Sequence, residues 1–208
     1  MKFYILIALL TMSTLLTAQS ADEGRFTATL ILGMNISQID GDDAYGYGKI
    51  GLNAGVRGGI RLGKRAELAT EILFSQKGSV ALPKNSGSGR AYTIHLDYVE
   101  VPVLIYYKDW DVEDANGNEF QRFMFGAGFS YSRLLNINIK NNAGLDLDKF
   151  HKNDFMMMLD ANIFITKNIG LGVRWSRSMP TIYNDEPAGS RPDYVINRSI
   201  ILRAIYKF

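Results

Sequence analysis

The sequence contains no cysteine. That excludes a disulfide framework, a thiolate metal site and a lipid-modified cysteine. Strong charge of one sign is lacking too. The 23 Lys and Arg stand against 21 Asp and Glu, a net charge of +2, and the basic residues are dispersed along the chain. Without a concentrated basic face, nucleic acid is not an expected partner. Long apolar runs are equally scarce. Beyond the N-terminus no segment approaches the ~20 residues that a membrane helix needs. A membrane location for the mature chain therefore demands a closed barrel, the other structure that pairs every backbone group in lipid.

Catalytic signatures are also sparse. The two histidines, His95 and His151, do not fall in a metal-ligand spacing such as H-E-x-x-H. No G-x-S-x-G elbow occurs, and no GK[ST] follows Gly126-Ala127-Gly128. Neither a cofactor nor a metal is expected, and the chain reads as no enzyme. The strongest catalytic constellation is His95 with Asp97 and an inward serine, as an acyl-transfer site would need. A satisfied interior histidine is the preferred reading of His95, since no supporting catalytic context accompanies it.

What the chain does have is glycine and aromatics: 20 Gly, 11 Tyr and 11 Phe. Residues 1–18 have the form of a cleaved signal peptide, with Lys2 as the positive region and Phe3 to Leu16 as the apolar run. Residues 19–208 are expected to form one domain, without a peptidoglycan-binding domain after it. From Thr27 the apolar residues recur with period two, separated by Gly/Asn/Asp/Ser-rich gaps. Eight strands follow, at about 27–36, 49–62, 65–76, 92–107, 120–133, 154–165, 169–176 and 199–208. In the fourth, the apolar phase moves from Ile94, Leu96 and Tyr98 to Val99, Val101, Val103 and Ile105. A β-bulge near Tyr98–Glu100 is expected there, because one extra residue reverses the facing of all that follow.

Long connections near 37–48, 78–91, 134–153 and 177–194 alternate with short ones at 63–64 and 166–168. Long loops outside the cell and short turns inside are the pattern of an outer-membrane barrel. The expected fold is thus all-β, an eight-stranded antiparallel up-and-down transmembrane β-barrel in the bacterial outer membrane. A soluble barrel with an apolar lumen also alternates. The glycines Gly55, Gly59, Gly126, Gly128, Gly170 and Gly172 share the charged face, which suits a narrow lumen filled by side chains. Tyr206 and Phe208, ending an alternating last strand, have the form of the recognition signal for barrel-assembly machinery.

Energetics then orient the strands. An Arg on the lipid face costs roughly 2–4 kcal/mol at the midplane. Arg57, Arg61, Arg122, Arg174 and Arg203 are therefore expected inside. Glu67, Glu71, Asp97, Glu100 and Asp160 are expected to pair with them, since isolated buried charges are very costly. This network has two readings: an ionic plug, or a charged channel or proton path.

Four stretches carry a resemblance: Gly33-Met34-Asn35-Ile36-Ser37, Gly51 to Gly55, Glu71 to Gly78, and Leu96 to Leu104. Of these, Phe74 to Ser79 and Asp97 to Leu104 are the most specific. The chain resembles the PorT-like outer-membrane β-barrel family, whose members look like small OmpA/OmpX-type barrels. The resemblance implies a non-enzymatic structural or interaction component in envelope biogenesis or protein secretion. Its expected partners are outer-membrane lipid, the barrel-assembly machinery during insertion, and envelope or secretion proteins met through the outer loops. The alternatives are a small pore and a membrane-embedded lipid-modifying enzyme.

Overall fold

The computed structural model describes residues 24–42, 46–84, 86–87, 91–113, 117, 119–141, 147–183 and 195–208. The expected signal peptide, residues 1–18, lies outside them. Eight strands form: β1 (Phe26–Asp40), β2 (Lys49–Arg61), β3 (Ala66–Ala81), β4 (Tyr92–Glu113), β5 (Glu119–Lys140), β6 (Asn153–Phe164), β7 (Ile169–Ser178) and β8 (Ile196–Lys207). Each pairs antiparallel with its sequence neighbour, and β8 returns to β1, with Leu32 opposite Ala204 and Ile36 opposite Ile200. Closure leaves the sheet without edges, the condition a sheet must meet in lipid.

The outer surface follows from the alternation. Leu30, Leu32, Val56, Ile72, Val103, Phe129, Leu159, Leu171 and Leu202 all point outward and are exposed. In water such a surface would be a severe liability. In a bilayer it is the required one, and the charged residues between these positions are buried in the lumen.

A transmembrane strand needs ~9–11 residues. The strands β6 and β7, with 12 and 10 residues, fit that span, whereas β4 and β5 have 22 each. The excess lies at both ends of the hairpin. Toward the long loops, Tyr92–Tyr98 of β4 pairs with the end of β5, above the point where β5 leaves β6 at Arg133. Toward the short turns, Asp109–Glu113 pairs with Glu119–Phe123 beyond the last β3 partner, Ala66. At Trp110 a φ of +61° breaks the alternation, and the indole packs on Phe123 with ring centroids 5.3 Å apart.

The upper overhang corrects two expectations. The strand β4 does not reverse its facing: Tyr92, Ile94, Leu96, Tyr98, Glu100, Leu104 and Tyr106 are all buried on one side. The chemistry of the two sides reverses instead. Above Tyr98 the inside is apolar and the outside polar, as in a soluble protein, because water replaces lipid around that part of the strand. Ile39, Ala81, Tyr92, Ile94, Leu96, Phe150, Ile182, Tyr183 and Val195 build an apolar cap over the lumen. A bulge does occur at this height, but in the partner strand. Asp97 opposes Asn136 while Tyr98 opposes Leu134, so Leu135 is the extra residue. It turns Ile137 and Ile139 inward onto the cap.

The same inversion explains why the strands outrun their expected limits. Once apolar residues stop facing outward, the period-two signal for a lipid-facing strand ends, although the ladder continues to Asp40, Ala81 and Lys140. The β2–β3 ladder, by contrast, stops at Asn53 opposite Ser75. Above it the Asn35 amide bridges the strands, donating to Ser75 Oγ at 2.8 Å and to the Gln76 carbonyl at 2.9 Å.

Deleting Leu135 removes the bulge and turns Ile137 and Ile139 outward. The deletion variant is expected to insert and fold, since the membrane belt is untouched, but to lose the cap. Limited proteolysis of intact cells should then cleave its outer loops faster than those of the wild type.

Candidate functional site

The lumen holds three tiers of charge. Arg174 of β7 lies at the centre of the middle tier, with none of its side chain exposed. Its guanidinium donates from Nη1 and Nη2 to Glu71 of β3 at 2.7 and 2.9 Å, and from Nε and Nη2 to Asp160 of β6 at 3.1 and 2.9 Å. Arg203 of β8 donates to both Asp160 oxygens at 2.6 and 2.5 Å and to Asn162 at 3.2 Å. Arg57 of β2 donates from Nε to Glu71 at 2.8 Å. The Tyr106 hydroxyl of β4 bonds to Asp160, and the Arg57 guanidinium lies 4.6 Å from the centre of its ring. Six strands thus converge on one cluster.

The other tiers flank it. Toward the short turns, Lys108 pairs with Glu67, which also accepts from Thr27 at 3.1 Å. Toward the loops, Lys77 pairs with Glu100, while Asp154 accepts from Ser178 at 2.7 Å and Asn197 at 3.2 Å. The middle tier sets three guanidiniums against two carboxylates. The upper tier sets one ammonium against two carboxylates. Together with Glu67 and Lys108 the charges of these named groups sum to zero, as burial of paired charge favours.

The structure therefore brings Arg57, Glu71, Asp160, Arg174 and Arg203 into one cluster and places Glu67 and Glu100 beside it. It separates three residues expected with them. Asp97 faces outward above the membrane belt, accepting from Gln76 and Asn136 at 3.1 Å each. His95 shares that outer face, so the imagined inward His95–Asp97 site does not form. Arg122 lies on the lower overhang, 5.9 Å from the Trp110 ring. Arg61, half-buried at the lower end of β2, forms no ion pair among the described residues. In their place are Lys77, Lys108 and Asp154. Lys77 keeps strict phase with Glu67, Glu71 and Ser75, so continuing the alternation past Gln76 finds it. Lys108 follows likewise from Glu100 and Tyr106.

Inward glycines make the room for this network. A Cβ on Gly126 would stand 2.4 Å from the Tyr106 ring, and one on Gly59 would stand 2.4 Å from both Glu67 and Thr27. At Gly172 it would stand 2.2 Å from the Asn162 side-chain oxygen. Below the middle tier Met124, Phe164 and Ile205 belong to one apolar cluster, so apolar groups fill the lumen at both ends. At the lower rim Tyr206 and Phe208 face outward and are exposed, with ring centroids 5.1 Å apart.

Arg174→Met leaves two buried carboxylates short of donors. It is expected to cost about 3–5 kcal/mol in urea unfolding of the vesicle-embedded barrel. Arg65→Gln, which removes exposed pairs to Asp109 and Asp111, should leave the unfolding midpoint close to that of the wild type. Gly126→Ala should destabilise by about 1–3 kcal/mol through overpacking against Tyr106.

No curated protein sequence matches the chain. Among solved structures it is similar to the attachment invasion locus protein Ail of Yersinia pestis, with 11% identity over 89% of this chain and 100% of that one and a TM-score of 0.47. Neisserial surface protein A matches with 11% identity over 89% and 98% of the two chains and a TM-score of 0.42. Outer membrane protein W of E. coli matches with 12% identity over 90% and 100% and a TM-score of 0.43. The family model described as the outer membrane protein beta-barrel domain matches residues 17–183, and the chain belongs to that family.

Proposed function

We propose that this outer-membrane barrel is a non-enzymatic structural or interaction component that acts through its outer loops and rims. One observation carries the reading: the lumen is filled. Ion pairs occupy its middle, and the apolar cap closes it toward the loops. An ionic plug held by several strands leaves no path of the width that a transport barrel needs. Its cross-strand bonds serve a second purpose, since they tie β3, β6, β7 and β8 into one rigid cylinder. A rigid cylinder with long loops at one end is a display scaffold.

The resemblance to PorT-like barrels points to envelope biogenesis or protein secretion as the process. The upper overhang of β3, β4 and β5 supports a role at the cell surface. It raises a polar outer face carrying His95, Asp97, Asn136 and Asn138 above the membrane belt, on strands rather than on loops. Strands hold a binding surface with less ordering cost than free loops do.

The test is photo-crosslinking in living cells. A crosslinkable residue replaces Asn138 on the upper overhang or Met179 beside the last loop. Discrete protein adducts are expected at these sites, and none at Leu159 on the lipid belt. Adducts with lipid alone at all three sites would contradict the proposal. The His95→Ala variant should leave the lipid composition of the membrane unchanged; an altered profile would favour the lipid-modifying enzyme instead.

A further inference from the structure

The described residues of the outer surface carry a charge asymmetry. At the loop-side border of the apolar belt, β1, β3 and β4 present Gln38, Asp40, Gln76 and Asp97. At the same border, β5 to β8 present Arg133, Lys152, Arg177 and Arg198, with Lys152 just before β6. One half of the circumference is thus basic.

Within that half, two arginines are placed against each other. Arg177 of β7 and Arg198 of β8 are direct cross-strand partners, and both point outward. Directly opposed residues have Cβ atoms ~4.5–5.5 Å apart, and like charges in that position are destabilising. Arg198 is anchored from the far side by Asp40, whose Oδ2 lies 2.7 Å from its Nε. That contact leaves its two Nη groups available to another acceptor. Arg177 is exposed and pairs with no carboxylate among the described residues. Immediately below, toward the membrane centre, Trp175 opposes Ile200 on the same face. An indole at the border with two guanidiniums above it is the arrangement expected around a lipid headgroup. The ring sits at the glycerol level, and the cations reach the phosphate.

We propose that Arg177 and Arg198 bind the phosphate of an anionic lipid of the outer leaflet, with Trp175 packed beneath it and Arg133 and Lys152 extending the basic border. The phosphate lies between the two guanidiniums and relieves their mutual repulsion. Guanidinium is suited to this contact, because its planar donors match phosphate oxygens in pairs. The lipid thereby marks one side of the barrel, which gives the cylinder a preferred orientation toward its neighbours.

The test uses the full chain folded into phosphatidylcholine vesicles containing a minor fraction of phosphatidylglycerol. Lipid retained on the extracted barrel is read by native mass spectrometry, and folding is read by the heat-dependent gel shift. The wild type is expected to retain phosphatidylglycerol selectively. R177Q/R198Q should still fold and should lose that selectivity by roughly thirtyfold, given the usual attraction of two basic residues near a membrane surface. R177K/R198K should keep most of it. K64Q/K167Q, on the short-turn rim, should behave as the wild type. If R177Q/R198Q does not fold, R177Q alone gives the reading, since Arg177 has no described ion pair to lose. Equal selectivity in the wild type and the arginine variants would overturn the proposal. So would an equal loss in K64Q/K167Q, which would mean bulk charge. Binding of soluble inositol hexakisphosphate as tight as binding of the vesicle lipid would overturn the assignment to a membrane lipid.

Discussion

Arg174 is the group on which the interior depends. It spans the lumen from β7, grips Glu71 on β3 and Asp160 on β6, and has no water to fall back on. A buried ion pair is weak evidence for stability when compared with a hydrophobic replacement, but losing one partner is severe. The constraint therefore propagates. Arg174 requires Glu71 and Asp160. Those two carboxylates accommodate Arg57 and Arg203. The wide side chains in turn require small neighbours, which Gly59, Gly126 and Gly172 supply. Lipid outside forces polar groups inward, and the narrow lumen then forces them to satisfy one another.

A second constraint acts along the axis rather than across it. The same strand passes through two solvents. In β4, residues Val99 to Ile105 face lipid and their alternate neighbours face the ionic lumen. From Tyr98 upward the alternate neighbours are Leu96, Ile94 and Tyr92, and the outer residues are Asp97 and His95. The backbone does not change; the medium around it does. In β5 the geometry does change, where Leu135 supplies the extra residue that turns Ile137 and Ile139 into the cap. The cap closes the lumen on the side of the long loops and gives those loops a packed base.

Much of this was legible from alternation alone. The strand count, the closure and the inward position of Arg57, Glu71, Asp160, Arg174 and Arg203 all follow from period two together with the cost of charge in lipid. The strand ends are less legible, because the alternation signal takes apolar residues to face outward throughout. That rule fails where water replaces lipid, so the upper parts of β1, β3 and β5 look like loop and Asp97 looks interior. It also hides Lys77, which sits one step beyond the expected end of β3, and Lys108, one step beyond that of β4. The phase change of β4 was visible, but a single strand cannot say whether the backbone or the solvent has changed. The position of Leu135 becomes decidable only once β5 is paired with β4.

We propose a plugged barrel that works from its surfaces. Single-channel recording of the purified barrel in planar bilayers tests it most directly. A filled lumen predicts no conductance steps above the bare-membrane baseline at any holding potential the bilayer survives. Steady open channels of reproducible size would contradict the account and return the function to the lumen.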